Sequence, residues 1–243
     1  MPPRAKKPQA TTPGVVPKEA LDYFAQKGLK IGFNYYEVWR EEHSAAFTAA
    51  KILELDILAA LRGTVERAIE DGTTFQQFRK DIEPLLDKSG WSDYHKETPK
   101  KVRLRTIYET NMRVARTCGQ WQRIERTKKV LPYLIYELGP SLRHRAEHEA
   151  WAGTTLPVDD PWWDEHVPPS AYGCKCRVRQ AGEREVERRG GATQRPPSYD
   201  VVWELPDGRR ELAPVGVHPS FAYNPGKSRM AGLEAVLERK EKR

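Results

Sequence analysis

Cysteine is scarce in this chain: three residues in 243. So small and odd a number does not make a disulfide framework, and the expected setting is a reducing cytoplasm. Long apolar runs are missing too. The longest fall far short of the roughly 20 residues that a bilayer span needs, so no membrane partner is expected. The opening "MPPRAKKPQATTPGVVPKEA" is basic but lacks the apolar centre of a secretion signal. There is no phosphate-cradling glycine loop, nucleophile elbow or Cys–His catalytic pattern, and no catalytic residue is assigned. No internal repeat is visible.

What is present is a modest core and a basic excess. Hydrophobic residues make up 38% and charged residues 31%, with a net charge of +7. That balance fits a soluble protein with an acidic partner, either nucleic acid or an acidic protein face.

The spacing divides the chain into segments. Residues 1–17, rich in Pro, Lys and Thr, read as a flexible basic arm. Residues 18–97 read as a helical N-terminal domain. A short helix ends at Gly28, and a long one runs from about Tyr36 to Asp71, with apolar residues three or four apart until Gly72 stops it. Thr74 with Gln77 has the spacing of a capping box for the next helix, which Pro84 is expected to kink or split. Residues 98–181 begin with Thr98-Pro99 as a helix start and continue helically to about Thr127. Leu104, Ile107, Val114, Cys118 and Trp121 form its apolar side, and Cys118 is expected in the core.

The other faces of that helix hold ten basic residues against Glu109 and Glu125. Arg103, Arg105, Arg113, Arg116, Arg123 and Arg126 are therefore the candidates for binding DNA or an acidic partner. A merely solvated face is the competing reading. "VLPYLIYEL" follows as a strand, placed at a sheet edge because of Pro132. "RHRAEHEAWAG" reads as a short helix closed by Gly153, and Cys174 to Gln180 as a short strand. In residues 182–226 a charged linker leads to a hairpin turning at Pro206-Asp207-Gly208. Residues 227–243 read as a charged tail or helix.

Two of the three cysteines stand one residue apart in "HVPPSAYGCKC". With His148 and His166 they make four ligands suited to zinc, which prefers thiolate and imidazole in a tetrahedron. On an extended chain Cys174 and Cys176 can both turn toward one ion, and Gly173 lets the backbone bend. The segment before them has little core of its own, so a structural zinc would convert binding energy into folding energy. The plain alternative is two small residues packed at a strand. A rival motif, His144–Glu147–His148 in H-x-x-E-H order, would make a zinc-dependent hydrolase. Trp151, Trp162 and Trp163 read as cover for a small core, and Asp159-Asp160 as turn chemistry.

Taken together, "RLRTIYETNMRVARTCGQWQRIERTKKVLPYLIYELGPS", then "RAEHEAWAGTTLPVDDPWWDEHVPPSAYGCKCRV", then "GVHPSFAYNPG" resembles the Mu F-like minor head proteins of tailed bacteriophages, the head-morphogenesis family. The resemblance runs from about Lys18 to Gly226. It implies a non-enzymatic minor capsid protein acting in procapsid assembly at the portal or inner shell. The implied partners are portal and major capsid proteins and packaged DNA. The implied location is the virion, at the capsid interior or portal vertex, after assembly in the host cytoplasm. Many relatives carry C-x-x-C before the glycine; here the second of those positions is His148 and the first is Arg145, which binds no metal. His166 is then the natural fourth ligand, with His144 as substitute. The expected fold is α+β: a helical N-terminal half, a smaller mixed α/β domain stapled by zinc, and a C-terminal β-hairpin extension.

Overall fold

The computed structural model of the chain describes residues 18–31, 40–41, 46–49, 52–89, 91 and 99–232. The expected basic arm (1–17), the first part of the expected long helix, the Thr98 cap and the end of the tail lie outside these residues.

Helix is the main element, and it is laid down by apolar spacing. Helix α1 (Lys18–Ala25) buries Ala20, Tyr23 and Phe24. Helix α2 (Leu55–Asp71) buries Leu58, Leu61, Val65 and Ala68 along one stripe and ends at Gly72, whose φ of 66° is the left-handed C-cap. Helix α3 (Phe75–Lys88) starts where Thr74 accepts from Gln77 N–H at 3.3 Å. It buries Phe78, Ile82 and Leu86 at four-residue spacing. Helix α4 (Lys100–Thr127) carries Leu104, Ala115, Cys118 and Trp121 into the same core.

Two expectations change in this half. Pro84 lies inside an unbroken α3, because it sits on the exposed face, where water can satisfy the freed Lys80 carbonyl. The long helix begins only at Leu55: Gly28–Leu29 (β1) and Ala46–Phe47 (β2) pair as a short parallel ladder, and Ile52 also lies outside the helix. Phe47 packs edge-on against Phe24, ring centres 5.7 Å apart, and that tertiary contact overrides a helical spacing. Helices α1 and α4 meet closely at Gly119. A Cβ there would stand 2.8 Å from the Ala20 backbone nitrogen, so only glycine lets α1 lie this close to α4.

After α4 the elements become short. Strand β3 (Tyr133–Glu137) is central in a three-stranded antiparallel sheet, between β4 (Thr155–Pro157) and β5 (Arg177–Ala181). The expected edge position is thus wrong: Pro132 precedes the strand and contributes only its carbonyl, which accepts from Val158 N–H at 2.8 Å. Helices α5 (Ala146–Ala150) and α6 (Trp163–His166) lie between the strands in sequence. The expected linker contains a further helix, α7 (Glu183–Arg188), which buries Val186 and is tied to the sheet by Arg179–Glu185 at 2.8 Å. The predicted hairpin is present as β6 (Asp200–Glu204) and β7 (Arg210–Pro214), with Gly208 at φ 82° in its turn. A 3-10 turn, Pro219–Phe221, and a helix over 225–232 follow. One buried cluster runs from Ala20 through Trp121 to Ala222. Among the described residues no helix is long and apolar enough to cross a membrane.

Candidate metal centre

Helix α5 presents His148, and the turn at 171–173 presents the two cysteines. Gly173 adopts φ 75° there, and Cys174 N–H donates to Ala171 O at 3.1 Å. Past the turn the chain straightens toward β5, where side chains two apart share a face. Cys174 and Cys176 therefore point the same way. The loop after β3 passes directly against Lys175 between them: a Cβ on Gly139 would stand 1.8 Å from the Lys175 carbonyl oxygen. No motif spacing marks Gly139, since its requirement comes from Lys175, 36 residues away.

His148 Nδ1 lies 3.9 Å from Cys174 Sγ and 3.7 Å from Cys176 Sγ, and the three atoms are all within 4.8 Å of one another. Nε2 faces the Gly216 carbonyl at 3.0 Å. With Nε2–H donating there, the Nδ1 lone pair is turned to the thiols, the arrangement in which an imidazole binds a metal. The ring also stacks on Trp151, centres 4.9 Å apart and 21° from parallel. His148 and Cys174 are 2% and 3% exposed.

The two thiols share their protons unequally. Hydrogen bonding from Cys174, helped by His148, holds Cys176 well below the usual thiol range despite burial. The same bond, together with burial, pushes Cys174 up. Two cysteine sulfurs and one imidazole nitrogen thus meet in a small buried space. For zinc bonds of about 2.0–2.3 Å, a tetrahedron has N···S and S···S edges of roughly 3.6–3.8 Å, so the residues present fit a metal.

His166 is not part of this triad. Its Nδ1 faces Trp162 O at 2.9 Å and its Nε2 faces Ser198 Oγ at 3.3 Å. The ring lies between Trp162, stacked at 4.3 Å, and the edge of Trp151 at 5.0 Å. Burial pulls its pKa down to about 4, so it is a neutral member of an aromatic box. The H-x-x-E-H reading also loses its geometry. His144 precedes the five-residue α5, and its Nε2 faces Gly139 O at 2.8 Å. The tryptophans are core, as read: Trp151 is 2%, Trp162 6% and Trp163 0% exposed. Asp160 makes the expected turn, accepting from Trp162 N–H at 2.9 Å.

"GVHPSFAYNPG" is explained by what it fastens. A Cβ at Gly216 would meet Glu147 Cβ at 2.6 Å and Trp151 at 2.9 Å, so glycine is required for its carbonyl to reach His148. His218 N–H donates to Ser170 O at 2.9 Å, and its Nδ1 accepts from Ser220 N–H at 3.2 Å. Asn224 Nδ2 donates to Trp163 O at 3.0 Å, and its Oδ1 accepts from Gly226 N–H. Gly226 rests on the Trp121 ring, with no room for a side chain.

Part of the basic face of α4 is paired, within the helix and with acids from other elements. Arg113 bonds Glu109 at 2.8 Å, with Arg105 at 3.4 Å. Arg126 and Arg123 reach Glu19 of α1 at 2.7 and 3.5 Å. Lys100 meets Asp87 and Lys128 meets Asp159. Arg103 stacks over Trp91 and Arg105 over Phe75, while Arg116 is exposed. The imbalance of ten against two belongs to the helix as a string; Glu19, Asp87 and Asp159 come from elsewhere.

Residues 59–179 match the family described as Phage Mu protein F like protein. The chain is 34% identical over 254 aligned residues to the "Putative capsid assembly protein F" of Escherichia phage Mu, covering 92% of this chain and 57% of that relative. It is also 34% identical over 169 residues to the "Mu-like prophage FluMu F protein" of Haemophilus influenzae (strain ATCC 51907 / DSM 11121 / KW20 / Rd), covering 67% of this chain and 41% of the relative. The chain therefore belongs to the Mu F-like family of phage head-morphogenesis proteins. It spans roughly half the length of these curated relatives. No solved structure matches it.

Proposed function

We propose that this chain acts in phage head assembly as a minor structural component of the procapsid, at the portal or inner shell. The observation that carries this reading is the 34% identity, over 92% of the chain, to a relative described as a putative capsid assembly protein. Portal and major capsid proteins are the partners, and the assembled virion is the destination. The role is structural, not catalytic. Its metal is zinc, held by His148, Cys174 and Cys176 as a fold staple. A staple suits the place: α5, the 171–176 turn and the post-hairpin turn at Gly216 come from distant parts of the chain and meet at His148. The three segments are short, so ligand binding at their meeting point supplies folding free energy.

The test is removal of the gene from an assembling phage. Defective or DNA-empty heads beside intact tails are the expected result, and copurification of the protein with heads and portal should accompany it. Normal, infectious heads assembled without the protein would defeat the reading.

A further inference from the structure

Two buried hydroxyls beside the triad are unaccounted for. Tyr136, at 0% exposure, is on the central strand β3, and its hydroxyl sits against Cys174, Cys176 and Ser170. It reaches none of them at hydrogen-bond geometry, and Ser170 Oγ, in a residue also at 0% exposure, has no partner either. A buried hydroxyl left unbonded is costly, so a pair of them beside three metal-binding atoms calls for a shared partner. The surroundings keep both in place. Tyr136 is wedged edge-on against Trp151 at 5.7 Å and Trp162 at 6.2 Å. Ser170 is held through its carbonyl by His218 N–H.

We infer that Tyr136 and Ser170 close the fourth side of the metal site, holding a water there in place of a fourth imidazole or thiolate. The inference rests on the metal reading above and deepens it. A buried water needs two to four polar partners. Tyr136 Oη, Ser170 Oγ and the metal supply three. A fourth side chain has no such claim among the described residues: His166 is bonded at both nitrogens, His144 faces the Gly139 carbonyl, and Arg145 reaches Tyr172 O at 3.3 Å. The site is thus Cys2His with an exchangeable fourth ligand, the donor count associated with catalytic zinc, but walled in by two fully buried residues. Tyr136 is a positioning residue in this scheme. It touches the fourth ligand and not the metal.

The experiment uses the full chain loaded with cobalt(II) in place of zinc. About one cobalt per chain, with a thiolate-to-cobalt absorption band, reports the triad. Electron paramagnetic resonance in ordinary and oxygen-17 water then reports the fourth ligand. Line broadening in oxygen-17 water is expected. Tyr136→Phe should retain the metal and the thiolate band, change the resonance and weaken metal affinity by about 10-fold. Ser170→Ala should shift the resonance in a variant that keeps every aromatic contact. His166→Ala should leave the resonance unchanged. Bound cobalt without oxygen-17 broadening, or a resonance abolished by His166→Ala, overturns the water-filled fourth position and leaves the metal reading intact. A chain that binds no cobalt overturns both.

Discussion

The half of the molecule before Thr127 and the half after it hold together by different means. Among the described residues the first is four α-helices meeting through stripes of Leu, Ile, Val and Phe, with Leu58, Leu61, Val65, Phe78 and Leu104 at 0% exposure. The second is built from pieces of three to six residues, except for the closing helix at 225–232. Its interior is an aromatic box of Tyr136, Trp151, Trp162 and His166, backed by the Cys–His triad and long-range carbonyl bonds. A long helix can bury enough surface along one face to justify its own order. A five-residue helix cannot, and needs a directional bond or a metal.

The sharpest way to test that contrast is to remove the thiols. Cys174→Ser with Cys176→Ser should abolish metal binding and remove metal-linked stability on the order of 10 kcal/mol. The near-ultraviolet circular dichroism of the buried tryptophans should collapse while most far-ultraviolet helix signal persists. Metal analysis and the two spectra check it. Equal loss of both signals would mean that the halves do not differ in this way.

A smaller effect is expected from the converse change. Leu58→Ala, in a residue at 0% exposure, should cost about 2–5 kcal/mol, read from denaturant melts. Zinc stoichiometry should stay unaltered, because the lost contacts are in the helical half. Loss of metal from this variant would tie the centre to the helices more tightly than the contrast allows.

The smallest effect is a pH dependence confined to the second half. Burial, with the Arg145 charge nearby, holds the His218 pKa near 4, against about 6.5 for an unfolded histidine. Between these values the unfolded chain takes up a proton that the fold refuses. Stability is therefore full above pH 6.5 and declines as the pH falls toward 4, by up to about 3 kcal/mol for His218, with His166 acting in the same window. His218→Gln should flatten this part of the stability–pH curve relative to the parent. An equal slope in both proteins would show that His218 is not the group responsible.

Much of the first half was legible in advance. Gly72, the Thr74 cap and the apolar rows of α2 to α4 are local signals, complete within a turn or two of helix. Where that half departed from its pattern, at Phe47 and at Pro84, the cause was a distant ring in one case and an exposed face in the other. The hairpin turn at Pro206-Asp207-Gly208 was legible for the same reason as the caps. The triad was partly legible. Residue chemistry singled out His148, Cys174 and Cys176, but nothing local separates His148, bonded through the Gly216 carbonyl, from His166, bonded to Ser198.

The chain's own letters determined the helices, their stops, the hairpin and which side chains are fit to bind a metal, because those depend on spacing and donor type within a few residues. Only the tertiary structure decided that β3 is central, that Glu19 and Asp159 pair with three cations of the basic helix, and that Tyr136 and Ser170, not His166, stand beside the two thiols. Apart from Ser170, which is close in sequence to the cysteines, these are meetings of residues from about 20 to about 110 positions apart, set by which surfaces can be buried together and which polar atoms must then be satisfied.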